Sequence, residues 1–197
     1  YWIGDDDDTP FNRSIIKALN STSKKVPIYF VHGNRDFLIG KKFAKACNMT
    51  LLPEQGIINL YGRPALIMHG DSLCTRDVGY MKFREMVRNP QWQTMILSKT
   101  IEERIAFAQK ARSESESNYQ QNAGDESIMD VTPEEVEKAL LKHDCRKMIH
   151  GHTHRPYTHD FELSGKSAQR IVLGDWYQLG WYLKVDETGY DLTSFDL

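Results

Sequence analysis

Cysteine is scarce in this chain, and long apolar runs and a dominant charge are absent. Cys47, Cys74 and Cys145 stand far apart, an odd set without a Cys-x-x-Cys pair. They read as reduced thiols of a cytosolic protein and exclude a disulfide frame or a cysteine zinc site. Nothing approaches the roughly eighteen consecutive apolar residues that a membrane helix needs. Lys and Arg number 25 against 27 Asp and Glu, a formal net charge of −2. That balance gives no footing for nucleic acid as the main partner. The 197 residues suffice for one domain with a full core, or for a domain and a small companion. The chain opens abruptly on Tyr-Trp-Ile-Gly without an initiator methionine, which reads as a fragment.

What is there centres on Met-Ile-His-Gly-His-Thr-His-Arg-Pro (148–156). A short apolar run empties into a loop where His152 and His154 stand one residue apart. Gly151 lets the backbone come close, and imidazole is the commonest ligand for transition metals. Taken alone, the pair is as well read as a polar loop. Two further strand ends change that reading. The run 26–32, expected as a buried strand, empties into Gly33-Asn34-Arg35-Asp36, and Pro-Ala-Leu-Ile-Met (64–68) ends in His69-Gly70-Asp71. In open α/β sheets, ligands bind at the carboxyl ends of strands.

Around these turns the pattern alternates between helix and strand. Asp5 to Asp8 read as a solvated loop before an amphipathic helix carrying Phe11, Ile15, Ile16 and Leu19. A helix follows over 38–47, then strands near 51–52, 57–60 and 64–68, with Tyr61-Gly62-Arg63 as a hairpin turn. Residues 75–127 show helical spacing without a strand pattern, dense in Tyr80, Phe83, Trp92, Met95, Ile96, Ile105 and Phe107. Packing between helices explains most of these, with room left for an apolar groove. Ser113 to Ser127 is polar and reads as a flexible linker. Thr132, Pro133 and Glu135 predict a capping box at a helix start. Strands from 157 to 195 predict a second sheet, or the second half of a sandwich.

The blocks 33–36, 69–71 and 151–154, each at a strand end, resemble those of the calcineurin-like metallophosphoesterases. That resemblance implies an α/β fold, a β-sandwich flanked by helices (αββα), with its N-terminal part missing from this chain. It divides the chain into core at 1–74, a helical lipid-binding cap at 75–127, and core again at 128–197. It implies that Asn34, His69 and His152 ligate one cation and His154 another, with two Mn²⁺ ions as cofactor. Asn34, Arg35 and His69 would be the catalytic residues.

Where many members carry a histidine, Arg35 stands. Arginine cannot act as an acid at neutral pH, but its planar fork can grip a phosphate. The wording of 2–6, 32–38, 68–75, 128–131 and 150–156 is similar to the subgroup that cleaves the pyrophosphate of UDP-2,3-diacylglucosamine in lipid A synthesis. By that similarity Asn34, Arg35, Asp77, Tyr80, Phe83, Ile96, Arg112 and His152 would contact the UDP-diacylglucosamine lipid. The protein would work in the cytoplasm, peripheral to the inner membrane. Another phosphoesterase acting on nucleotides, or a metal-free scaffold, are the alternatives.

Overall fold

The structure, a computed structural model, describes residues 1–121 and 128–197. They cluster in two units. The described residues of Tyr1–Leu52 and Asp77–Glu126 make the first, and those of Pro53–Arg76 and Ser127–Leu197 the second.

In the first unit, α1 (Pro10–Ser23) starts where its sequence dictates. Thr9 Oγ1 accepts from Asn12 N at 3.1 Å and Pro10 takes the first helical position. Its Ile16 and Leu19 pack on Ile39, Phe43 and Cys47, while Phe11 and Ile15, on the same expected stripe, are exposed. The run 26–32 forms less strand than its apolar character predicts. Only β1 (Tyr29–Phe30) pairs, parallel to β2 (Thr50–Leu51), and Tyr29 is exposed. A ladder cannot outrun its partner, and β2 offers two residues.

The acidic run is the expected loop before a helix, with Asp6 and Asp8 exposed, yet each of its members also has a partner. Asp5 accepts from Gly40 N and Phe43 N, both at 2.9 Å, at the start of α2 (Lys41–Cys47). Asp6 pairs with Arg104, Asp7 holds the Asn12 amide, and Asp8 meets Arg13.

Three more helices follow among the described residues of this unit: α3 (Val78–Arg88), α4 (Pro90–Leu97) and α5 (Ile101–Gln121). Asn89 Oδ1 accepts from Gln91 N at 2.8 Å, so Pro90 both follows the end of α3 and opens α4. Helix α5 continues through 113–121, where a flexible linker was expected. No Gly or Pro interrupts it, and Lys110 pairs with Glu114 one turn on at 3.9 Å. The rest of that expected linker, 122–127, lies outside the described residues.

The second unit is layered. Strands β3 (Gly56–Leu60) and β4 (Arg63–Ile67) form a hairpin whose turn residues Tyr61 and Gly62 both have positive φ. After α6 (Pro133–Lys142) come β5 (Lys147–His150), β6 (Tyr157–Leu163), β7 (Lys166–Val172), β8 (Leu179–Val185) and β9 (Tyr190–Asp196). The sheet order is β3-β4-β5-β7-β6, with β4, β5 and β7 mutually parallel.

Strands β6 and β7 therefore join the first sheet, and among the described residues of this unit only the β8–β9 hairpin makes a second one. The reason lies in β7, which is covered on both faces. Its Ala168 packs with Leu66, Met148, Val136 and Leu140 toward α6, and its Ile171 with Ala65, Ile149, Leu183 and Leu192 toward the hairpin. A strand covered on both faces belongs inside a sheet. Helix, sheet and hairpin make this unit's layers. The capping box of α6 is not made: the Thr132 hydroxyl lies 2.8 Å from that of Thr75, and Glu135 turns to Lys138. Among the described residues no helix is long and apolar enough to cross a membrane.

Candidate active site

Strands β4 and β5 are neighbours and parallel, with Leu66 opposite Met148 and Ile67 opposite Ile149. Their carboxyl ends are therefore flush, and the turns after them emerge together. Gly151 N donates to His69 O at 2.9 Å, which locks one turn to the other. Gly70 makes this approach possible. At φ +111, a Cβ there would stand 2.7 Å from His150 Nδ1, so a larger residue would be strained and crowded at once.

The consequence is an imidazole pair. His69 Nε2 and His152 Nδ1 lie 3.2 Å apart, their rings edge to face at 4.9 Å. Both His152 (φ +70) and His154 (φ +55) occupy the left-handed region. That conformation costs a residue with a Cβ on the order of 1–3 kcal/mol, and such strain clusters at functional sites. His154 is turned elsewhere: its Nδ1 lies 3.2 Å from Asp175 Oδ2.

Beneath the turns the sheet is polar but satisfied. His150 is 1% exposed. Its Nδ1 bonds Gly151 O at 2.8 Å and its Nε2 lies 3.1 Å from Arg170 Nη1. Burial pushes this imidazole down to about 4, so it is neutral near pH 7, with Nδ1–H donating and Nε2 accepting. Asp130 Oδ2 accepts from Arg155 at 3.3 Å just past the histidines.

In the first unit, Gly33-Asn34-Arg35-Asp36 folds as a tight turn after β1. Asp36 Oδ1 accepts from Gly33 N, Arg35 O accepts from Trp2 N at 2.8 Å, and Arg88 Nη2 donates to Gly33 O at 3.0 Å. The Arg88 guanidinium also covers the Phe37 ring at 5.4 Å. Burial raises the Asp36 carboxyl above its ordinary value, against the Gly33 hydrogen bond. Asn34 is half-buried and Arg35 exposed.

The expected lipid contacts Asp77, Tyr80, Phe83, Ile96 and Arg112 also belong to this unit and differ in character. Asp77 caps α3, its Oδ1 accepting from Tyr80 N at 2.9 Å. Tyr80 and Phe83 are half-buried and Arg112 is exposed, whereas Ile96, at 3% exposure, is a core residue. Trp92 joins Phe37 and Phe107 in an aromatic row, at 6.3 and 5.2 Å.

The sequence pattern described as calcineurin-like phosphoesterase matches residues 1–156. The chain belongs to that family. Membership in the calcineurin-like phosphoesterases carries dependence on a divalent metal, and the His69–His152 pair can be tested for it. Two nitrogens bound about 2.1 Å from one cation stand roughly 3.0 Å apart at a right angle and about 3.4 Å apart at a tetrahedral one. The observed 3.2 Å falls between, so the pair fits one edge of a coordination sphere. It is an edge only. Among the described residues no three His, Cys, Asp or Glu side chains form a complete set.

Three relatives align over nearly the whole of this phosphoesterase, each named UDP-2,3-diacylglucosamine hydrolase. That of Pseudomonas fluorescens (strain SBW25) is 50% identical over 196 residues, 99% of this chain and 78% of the relative. That of Stutzerimonas stutzeri (strain A1501) is 49% identical over 197 residues, covering 100% and 81%. The Cellvibrio japonicus (strain Ueda107) protein is 47% identical over 199 residues, again covering 100% and 81%.

Three participants carried no signal in the sequence. Arg88 and Arg170 sit in ordinary helix and strand patterns, and Asp175 follows a glycine in what reads as a loop. Only the folded chain brings Arg88 to Gly33, Arg170 to His150 and Asp175 to His154.

Proposed function

We propose that this protein hydrolyses the pyrophosphate bond of UDP-2,3-diacylglucosamine, releasing UMP and 2,3-diacylglucosamine 1-phosphate in lipid A synthesis. The observation that carries the reading is the His69–His152 nitrogen pair, 3.2 Å apart, in a chain half identical to hydrolases of that name. Asn34, His69, His152 and His154 are the metal ligands, and two Mn²⁺ ions suit this mixed oxygen and imidazole set. When bound, such a pair lowers the pKa of the attacking water and offsets charge on the phosphoryl oxygens.

The chain's own residues account for the rest. Arg35 grips a phosphate through paired charge-assisted hydrogen bonds. It has no proton to give at neutral pH, and none is needed. The leaving group is a phosphate monoester whose second pKa is about 6. Water adds to the uridine-side phosphorus and gives up a proton to solvent, the bridging P–O bond breaks, and its electron pair leaves on the sugar phosphate. Tyr80 and Phe83, half-buried on α3, offer apolar surface to acyl chains. A substrate with two such chains places the work at the cytoplasmic face of the inner membrane, with the protein peripheral to it.

Hydrolysis in ¹⁸O-water tests the reaction. The label is expected in UMP, with turnover lost on chelation and restored best by Mn²⁺. Label in the lipid phosphate, or equal restoration by Ca²⁺, would overturn the respective assignment.

The apolar surface has its own test. Phe83→Asp is expected to cut turnover of the diacylated lipid by more than about tenfold, because a carboxylate opposes acyl chains, with little change in melting temperature. Ile96→Asp would instead bury an unpaired charge in the core and unfold the protein. If Phe83→Asp unfolds the protein in the same way, the acyl-surface role is wrong.

A further inference from the structure

We propose that Asp175 is a positioning residue for His154: it holds the Nδ1–H and so leaves Nε2 as the nitrogen that faces a cation. The inference rests on the reading of His154 as a metal ligand. Its basis is the 3.2 Å approach of His154 Nδ1 to Asp175 Oδ2, with the ring of Tyr177 edge-on to the same imidazole at 6.1 Å. A neutral imidazole carries one proton on two nitrogens. A carboxylate on one of them selects the tautomer that frees the other, and metal-ligating histidines are commonly held this way.

The loop carrying Asp175 is anchored on both sides, so the direction of the carboxylate is set in advance. Leu173 N donates to His150 O at 2.8 Å, fastening the start of the loop to the end of β5. Gly174 lies flat on the indole of Trp181, where an added Cβ would come within 2.3 Å of the ring. On the other side, Trp176 Nε1 donates to Trp181 O at 2.8 Å, and its ring meets Phe195 edge-on at 5.3 Å. Asp175 therefore emerges between two residues seated on the β8–β9 hairpin. Its side chain and that of His154 remain 34% and 46% exposed. At that exposure an ion pair adds little to stability, and what the contact contributes is orientation.

The test compares Asp175→Ala and Asp175→Asn with the parent in Mn²⁺ titrations followed by electron paramagnetic resonance. Asp175→Ala is expected to weaken one class of site by about 10–100-fold while the melting temperature stays put. Asp175→Asn keeps an accepting carbonyl oxygen and should lose less than about fivefold. In the metal-free protein, ¹⁵N resonances of His154 should report a single Nδ1–H tautomer, giving way to a mixture in Asp175→Ala. Parent-like Mn²⁺ affinity in Asp175→Ala, or an unchanged tautomer, overturns the role of Asp175 alone. Failure of the parent itself to bind Mn²⁺ overturns the ligand reading of His154 on which the role depends.

Discussion

Arg104→Ala is expected to destabilise the protein by about 3–5 kcal/mol, a fall of about 10 °C in melting temperature. Arg104 is 4% exposed. All five N–H donors of its guanidinium are used: Nε on Lys99 O, Nη1 on Ile3 O and Asp6 Oδ1, Nη2 on Asp6 Oδ2 and Leu97 O. The carboxylate is the lesser part of this, since Asp6 is half exposed and water screens the pair. The three carbonyls are the greater part. Truncation removes their donor, and a buried acceptor left unsatisfied costs about 1–3 kcal/mol.

Asp6→Asn should therefore cost much less than Arg104→Ala, below about 1 kcal/mol. Arg104→Lys should not rescue, because an ammonium lacks the planar fork. Thermal unfolding of the three variants checks the order, and equal losses for Asp6→Asn and Arg104→Ala would make the ion pair the source.

The same contact has a pH signature of fixed sign. The Arg104 hydrogen bond, then desolvation in the opposite sense, leaves the Asp6 carboxyl below its ordinary 3.8. A folded-state value beneath the unfolded one adds stability above the unfolded pKa, and that contribution is lost as pH falls through the lowered one. Acid titration of the Arg104→Ala melting temperature should lack this step below pH 4.

That contact also shows where reading the sequence stops. Arg104 and Asp6 are separated by 98 positions, and neither carries a local pattern that announces the other. Asp5 to Asp8 looked solvated because an acidic run before a helix start is satisfied by the helix itself. Here each carboxylate is committed to a different group. Strand ends behaved differently. Gly33-Asn34-Arg35-Asp36, His69-Gly70-Asp71 and the 151–154 turn were recognisable because the period changes abruptly from apolar run to polar turn. Their residue types also restrict what chemistry can follow.

What the residues could not tell was which strands lie side by side. The pairing of β4 with β5, Leu66 opposite Met148, closes a separation that loop entropy barely penalises, so local sequence does not encode it. The expected second sheet is reduced to the β8–β9 hairpin for the same reason. Strand β7 is covered on both faces, which is a property of its place in a sheet and shows only weakly in its alternation. The full length of α5 shows weakly in the sequence because Ser and Asn are weak helix formers individually, whereas no breaker stands in its way.

Replacing either His69 or His152 is expected to lower turnover of the UDP-lipid by about a thousandfold, roughly 4 kcal/mol of transition-state stabilisation. The double replacement should be little worse than either single one. The reason is geometric. Their nitrogens stand 3.2 Å apart, a separation that matches two ligands on one cation, and residues acting as a unit give grossly non-additive losses. Once one nitrogen is gone the other holds no productive ion, so its own removal changes little.

The competing account is that the two imidazoles only brace their turns by hydrogen bonding. The Gly151 N to His69 O bond at 2.9 Å already does that through the backbone, so alanine at either position should leave the fold standing. The check is a double-replacement cycle of kcat/KM for His69→Ala and His152→Ala, run beside Mn²⁺ binding and thermal unfolding. A common centre predicts that each single variant loses the same class of Mn²⁺ site. It further predicts that the double variant sits within about tenfold of the singles. Losses that multiply toward a millionfold, or single variants that keep both Mn²⁺ sites, would mean that the two histidines act independently. The 3.2 Å contact would then be a packing contact between turns.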